Sequence, residues 1–253
     1  MKYVVLSFDD GTKDFYTRAL PILKKYNLPS VLNIIPDFME ETKINNYVSW
    51  KDVAECIENG VEIANHSANH TNSLNDIVRG EKEIRSHTNT TERIGFASPH
   101  SGISNLNFNE YKCLLDSGIA AYIRSGNQLK RDGYFHAFLY FLYKYTKSCA
   151  VFFKYNKRNI IMPKQLPETF FPSVTCNRDN SAKQVISFIK KMPNDSSVIL
   201  MFHKILEKSD DGYKTHKWSN TVEDFDAICR FLSETDDISV ITQNALCNLL
   251  KNN

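Results

Sequence analysis

Tyr3-Val4-Val5-Leu6-Ser7-Phe8-Asp9-Asp10-Gly11 opens the chain and decides how the rest of it is read. The run from Tyr3 to Phe8, rich in β-branched and aromatic residues, is too short for a helix and fits a buried strand that ends in two carboxylates and a glycine turn. A helical pattern follows from about Lys13, so a turn or a helix N-cap accounts for one Asp. Two adjacent acids at the end of a buried strand ask for a chemical role.

Outward from that strand, strands and helices alternate. Phe15, Ala19, Ile22, Leu23 and Tyr26 form a helical stripe that Asn27-Leu28-Pro29 stops, and 30–35 is a second strand ended by Pro36. A helix over 47–59, with Ser49 as N-cap and Gly60 as its stop, leads to a strand at 61–64. A polar amphipathic helix at 74–90 precedes a strand at 94–97, and a helix at 107–117 precedes one at 119–123. Beyond 181–192, read as helix, the almost wholly apolar run 198–202 is the clearest buried strand, and 222–234, 238–242 and 243–250 read as helix, strand and helix. Such alternation predicts an α/β fold: about seven parallel strands in a closed or nearly closed distorted (β/α) barrel.

The 253 residues fit one domain over 1–253. Hydrophobic content of 42%, charged content of 24% and a net charge of +2 are those of an ordinary globular protein and give no electrostatic case for nucleic acid. The six cysteines are far apart and show no zinc-finger spacing, as thiols of a reducing compartment would be. The first strand begins almost at Met1 with no leader pattern before it, and a cytoplasmic location is the expectation. One stretch, 127–173, is an aromatic-rich insertion, with Tyr134, Phe135, Phe138, Tyr140, Phe141, Tyr143, Tyr145, Phe152, Phe153 and Tyr155 interleaved with lysines. Lys144 and Lys147 break the apolar run, so no transmembrane segment is expected. The stretch reads either as a platform for a sugar, a membrane or a partner, or as a helical hairpin covering one end of the barrel.

In a parallel barrel, residues just after each strand gather on one face. Those positions hold Asp9 and Asp10, then Asn65-His66-Ser67-Ala68-Asn69-His70, Ser98-Pro99-His100-Ser101-Gly102, Arg124 and His203. Four of the seven histidines are among them. His66 and His70 are four apart, so one helical turn would bring both imidazoles to one side, where Asp10 completes a two-His, one-carboxylate set with room for water.

Ser7-Phe8-Asp9-Asp10-Gly11, His66-Ser67-Ala68-Asn69-His70 and Leu200-Met201-Phe202-His203 resemble the first, second and last motifs of the polysaccharide deacetylases with a NodB homology domain, carbohydrate esterase family 4. Ala19-Leu20-Pro21-Ile22-Leu23-Lys24-Lys25-Tyr26 with Leu28-Pro29 resembles the helix after the first motif, and the likeness extends over nearly the whole chain outside the insertion. The resemblance implies a divalent metal, zinc foremost with cobalt or nickel also suited, and hydrolysis of an acetyl group from a carbohydrate substrate. It implies Asp9 as catalytic base, Asp10, His66 and His70 as metal ligands, and His203 as general acid. Pro99 and His100 would contribute to substrate binding, with the turn at His100 offering a backbone N–H to the oxyanion. Other acyl groups, such as an O-acetyl ester or a formyl amide, and a non-catalytic sugar-binding role remain open. Two departures stand out. Ala97 sits where the family has an arginine that contacts the catalytic Asp, so Arg124 is the candidate substitute. No Asp can be placed as the partner that tunes His203, Asp132 being near in sequence only.

Overall fold

The computed structural model describes residues 1–40, 46–104, 107–126, 133–163 and 170–251. Its main sheet contains β1 (Lys2–Phe8), β2 (Ser30–Ile34), β3 (Val61–Asn65), β4 (Phe96–Ala97), β5 (Ile123–Arg124), β6 (Phe170–Phe171), β7 (Val174–Thr175) and β8 (Ser197–Phe202). A two-stranded ribbon of β9 (Lys204–Leu206) and β10 (Ser219–Thr221) follows, and β11 (Ile238–Val240) returns to the main sheet. The sheet order is β6-β5-β4-β3-β2-β1-β8-β7, with β11 also on β1 and every pair parallel.

The sheet thus has nine strands where about seven were expected. The two additions, β6 and β7, are two residues each and flank Pro172-Ser173, too short to leave a periodic signal and hidden at the end of the aromatic stretch. They are also the two edges of the sheet. The barrel therefore curls round until its edges are joined by the chain itself, at a proline that has no N–H for a ladder. Ser173 N reaches back to Gly126 O at 3.3 Å on one side of this seam, and Cys176 N bonds Met201 O at 2.8 Å on the other.

The distortion lies beside β1. β11 takes one edge of β1 at Lys2–Val4, so β2 meets β1 only at Ser7 and Phe8. That wedge opens the strands at the bottom and closes them at the carboxyl end, where Asp9 and Asn33 come together.

Side-chain parity divides the core. Val5, Val31, Ala64, Tyr122, Phe171 and Ile199 pack with one another in the barrel interior. Val4, Leu6, Phe8, Leu32, Leu200 and Phe202, one residue out of phase, pack against the helices. Phe8 lies 4.8 Å from Phe15, 5.2 Å from Phe202 and 5.5 Å from Phe225, ring centre to ring centre. Burying each such ring contributes about 1.5–3 kcal/mol, which fixes the strand end beneath Asp9. The covering helices begin where the sequence places caps: Ser49 and Ser181 form capping boxes with Asp52 and Gln184, and Ser73 and Thr221 each accept an amide of the first turn.

The aromatic stretch is a helical hairpin, Gly133–Thr146 and Cys149–Asn156. It leans on the helix Ala182–Lys190 rather than capping the barrel's end: Phe152 and Phe153 pack on Phe188 at 6.1 and 5.5 Å. Its flanks, 127–132 and 164–169, lie outside the described residues.

Candidate active site

The interior parity that gives Val5, Val31, Ala64, Tyr122 and Ile199 continues upward two residues at a time. It yields Ser7 and Asp9 from β1, Asn33 from β2, His66 after β3, Arg124 from β5, and Met201 and His203 from β8. The apolar barrel interior is thus roofed by a polar layer.

Asp9 is 3% exposed and heavily supported. Arg124, itself fully buried, donates from Nη2 to Asp9 Oδ1, and Asn33 Nδ2 donates to the same oxygen at 2.8 Å. Asn33 Nδ2 also lies 2.9 Å from Ser7 Oγ and from Phe8 O, so it locks the turn of chain that carries the carboxylate. Burial pushes the Asp9 carboxyl up, but the charges of Arg124, then His66 and His203, outweigh it and hold the group below its ordinary value. It is a carboxylate at neutral pH. Arg124 is the last residue of its strand, not the first after it, and it is the register partner of Ala97 on β4. Compared with the resembled motif, the cation has moved one strand sideways at the same height, and the methyl of Ala97 leaves the space.

Asp10, His66 and His70 form a second group. Both imidazole Nε2 atoms lie 3.4 Å from Asp10 Oδ1, and the three donor atoms fall within 4.8 Å of one another. His66 Nδ1 is 2.8 Å from the carbonyl oxygen of Ala97. A carbonyl only accepts, so Nδ1 carries the hydrogen and Nε2 is turned to the cluster, where a bound ion would use its lone pair. Burial pushes the imidazole down, but without an ion the charges of Asp9 and Asp10 outweigh it and raise it above its ordinary value. Burial and the neighbouring His66 push His70 down to about 4, which keeps it neutral at pH 7, as a ligand must be. Asp10 Oδ1 is buried and accepts no hydrogen bond among the described residues. An orphaned carboxylate oxygen facing two imidazole nitrogens fits a divalent transition metal.

The expected helical turn for His66 and His70 is not there. Residues 66–70 are an irregular loop in which Ser67 and His70 have positive φ of 62° and 53°. Side chains four apart converge because the loop is pinned: His66 N bonds Ile34 O at 2.9 Å, Ala68 N bonds Asp76 O at 3.0 Å, and Thr71 N bonds Ser67 Oγ at 2.8 Å. Gly80, on the helix Leu74–Thr88, sits directly behind; a Cβ there would lie 2.5 Å from Asn65 Oδ1 and 2.8 Å from Ala68 N. Asp10, His100 and Ser101 also have positive φ, so much of the left-handed, non-glycine backbone gathers here.

His100 stands in the turn after β4, its ring 4.3 Å from that of His70. Pro99 is buried, and its carbonyl accepts from Asn72 Nδ2 and Gly102 N, both at 2.9 Å. His100 therefore borders the Asp10-His66-His70 cluster, and Pro99 precedes it in the same turn. Across the site His203 Nε2 is 3.9 Å from Asp9 Oδ2, and the His203 ring lies 5.4 Å from that of Trp218. Its other nitrogen, Nδ1, is buried with no hydrogen-bond partner among the described residues. Asp132 lies outside the described residues.

Sequence reading missed Asn33 and Trp218. Asn33 left a signal, a lone amide inside the apolar run Val31-Leu32-Asn33-Ile34-Ile35 on the parity of Asp9's face. Trp218 left little, since its approach to His203 depends on the β9–β10 ribbon, where Lys204 N bonds Trp218 O at 3.2 Å.

The family model described as polysaccharide deacetylase matches residues 1–114. Over that stretch, less than half of the chain, the sequence is similar to the polysaccharide deacetylases. The matched part holds Asp9, Asp10, His66, His70 and His100; Arg124 and His203 lie beyond it.

Among solved structures, a family 4 acetyl xylan esterase from Clostridium thermocellum in complex with a cobalt ion is 18% identical, with 98% of this chain and 91% of that one covered at a TM-score of 0.54. A peptidoglycan N-acetylglucosamine deacetylase, Bc1960, in complex with a substituted N-oxidanyl-benzamide is 16% identical over 96% and 87%, at 0.57. A mutant of BA3943, a CE4 family pseudoenzyme with restored enzymatic activity, is 14% identical over 97% and 67%, at 0.53. These likenesses give the fold: a distorted parallel barrel of the polysaccharide deacetylase type. The chain spans 58% and 62% of two further matched structures, IcaB from Ammonifex degensii and a BpsB deacetylase domain from Bordetella bronchiseptica, at a TM-score of 0.40 that is too low to inform the fold. Comparison with the curated proteins finds no match.

Proposed function

We propose that this chain is a metal-dependent hydrolase that removes an N-acetyl group from an amino sugar of a glycan or glycan precursor. The observation that carries the reading is a buried carboxylate, Asp9, kept ionised by Arg124 beside the Asp10-His66-His70 cluster, with the His203 imidazole facing it.

Asp10, His66 and His70 would hold the ion, zinc foremost. Bound there, it supplies Lewis acidity to a carbonyl that an amide leaves weakly electrophilic. Asp9 is placed to take a proton from the attacking water as the new C–O bond forms. His203 Nε2 is placed to give a proton to the departing nitrogen as the C–N bond breaks. In the turn after β4 the Ser101 and Gly102 amides bond Ser98 O and Pro99 O, which leaves the His100 amide as the donor for the developing oxyanion. Arg124 and Asn33 bind no substrate in this scheme; they hold Asp9 charged and aimed.

A second reading is favoured by the bare Nδ1 of His203. Among the described residues no carboxylate holds that nitrogen, and an O-acetyl ester, whose alkoxide leaves more readily than an unprotonated amide nitrogen, depends less on proton delivery. The six cysteines, all free, fit a reducing compartment and support a cytoplasmic location.

The test is acetate release from a panel of N-acetylated sugars, nucleotide sugars, oligosaccharides and O-acetylated xylan, with and without chelator, beside Asp9→Asn. Release from an N-acetylated substrate that needs both metal and Asp9 supports the proposal. Release from the O-acetyl substrate alone moves it to the ester, and no release by protein that binds zinc stoichiometrically rejects it.

A further inference from the structure

The helix Gly133–Thr146 plays no part in the chemistry above, and its outer face is the most apolar exposed surface described. Its inner face, His136, Leu139 and Tyr143, is buried at the usual three-to-four spacing. The opposite face carries Tyr134, Phe138, Phe141 and Tyr145, exposed by 97%, 57%, 59% and 65%, with Phe135 beside them at 54%. Positions 134, 138, 141 and 145 form one stripe along the helix. A helix apolar on both faces belongs between two partners, and among the described residues this one has a partner on one side only.

Charge identifies the other. Residues 133–158 contain five Lys or Arg and no Asp or Glu, whereas the rest of the chain has 26 of the one and 29 of the other. Two of these cations lie by the aromatic rings: Lys154 Nζ is 5.1 Å from the Phe135 ring centre, and Lys144 Nζ, which also pairs with Asp179 Oδ1 at 3.2 Å, is 5.8 Å from that of Tyr145. Lys147, Lys154, Lys157 and Arg158 are exposed. A neutral glycan has no use for such an excess. A second copy of the face would bring the cations of both copies together.

We propose that this face docks on the surface of an anionic lipid bilayer, with the helix lying in the interface plane. Aromatic rings seat at headgroup level and the surrounding lysines meet lipid phosphates. The 14-residue helix is about 21 Å long, short of the roughly 30 Å hydrocarbon core, and no helix among the described residues is long and apolar enough to cross a membrane. The docked face adjoins the site, because Lys217 Nζ bridges Tyr140 of this helix and Trp218 beside His203, at 5.1 and 5.3 Å from the two ring centres.

Sedimentation of the full chain with vesicles tests this, using phosphatidylcholine alone and phosphatidylcholine in which roughly one lipid in three is phosphatidylglycerol. Binding should be at least about tenfold stronger to the anionic vesicles and fall steeply with salt. Phe138→Ala with Phe141→Ala should weaken it by about tenfold or more. Lys154→Ala with Lys157→Ala should weaken it by roughly fivefold per lysine. Both pairs of changes are at exposed positions and should leave the melting temperature and hydrolysis of a soluble substrate unchanged, which separates this proposal from the catalytic one. Equal binding to both vesicle types, or variants that bind as the parent does, overturns it. So does light scattering that shows a dimer which the Phe138/Phe141 changes dissolve, because the face is then a contact between copies.

Discussion

Asp9 and His203, the proposed base and acid, stand 3.9 Å apart and are supported very differently. Asp9 receives a buried guanidinium and a buried amide on one oxygen, and its own backbone N bonds Phe202 O at 2.9 Å. His203 has the side of an exposed tryptophan and a nitrogen with nothing to bond among the described residues. Buried polar atoms are normally satisfied, so this asymmetry is informative. Among the described residues the fold holds Asp9 by several groups and His203 by few. Under the proposed function, such a site would activate water better than it protonates the leaving group.

The comparison breaks most readily on the base side. Asp9→Asn keeps the shape and removes the proton acceptor, and kcat should fall by about a thousandfold, within the hundred-to-ten-thousandfold range of such steps. Zinc stoichiometry should be unchanged, since Asp10, His66 and His70 are untouched. A variant that retains more than a tenth of the activity would deny Asp9 its role.

Arg124→Met comes next, with a loss of about a hundredfold in kcat/KM and about 3–5 kcal/mol of stability from a carboxylate left buried without its cation. The sign of the pH effect follows from the forces on Asp9. Burial raises its pKa and Arg124 is the largest influence lowering it, so removing the arginine raises the pKa. The base is active when ionised, and the acid limb of the kcat/KM profile should therefore move to higher pH. A limb that stays put would make Arg124 a packing residue alone. The double change Ala97→Arg with Arg124→Ala, which returns the cation to the neighbouring strand at the same register, should recover part of both losses.

His203→Gln sharpens the contrast instead of breaking it. On an N-acetyl substrate it should cost about a hundredfold in kcat, and on an O-acetyl ester with a good leaving group only a few fold. Equal losses on the two substrates would mean that His203 acts on something other than the leaving group.

What the sequence disclosed and what it withheld follow the same division. The strand-to-site order was legible because β1 and β8 are long runs, buried but for Tyr3, and because Asp9, Asp10 and His203 directly follow them. The polar layer over the barrel was legible in principle from parity alone. Asn33 shows that the rule works even where it was not applied: it is two residues on from Val31, as Asp9 is from Ser7. The short strands were another matter. β6 and β7 have two residues each and no period, whereas β4 and β5, equally short, were read as the ends of longer runs, 94–97 and 119–123. Their place is set by neighbours: Ser98 N on Arg124 O and Ser125 N on Phe171 O, each at 2.8 Å. The surroundings of His203 depend on the β9–β10 ribbon, and a ribbon of three-residue strands is likewise a tertiary fact. The residues that follow strands with an apolar run were readable, and those set by β6, β7 and the ribbon were not.

The loop of His66 and His70 lies between these cases, and it allows the gentlest test. Spacing four apart suggested a helical turn, and the right residues met for a different reason: a pinned loop against a helix that lacks a side chain at Gly80. If the cluster depends on that close approach, Gly80→Ala should act on metal and spare the base. The new methyl would meet Asn65 Oδ1 and the backbone of Ser67 and Ala68, none of which is a free side-chain end. Overpacking of this kind costs about 1–3 kcal/mol, and the strain falls on the loop that carries both imidazoles. Zinc affinity should drop by about tenfold, measured by competition with a chromogenic chelator. At saturating zinc most of the activity should return, and the pH at which Asp9 titrates should stay where it was. A variant with normal zinc affinity would place the rigidity of the cluster elsewhere, in the Ser67–Thr71 and Ala97–His66 hydrogen bonds, and Ser67→Ala would then be the change that loosens it.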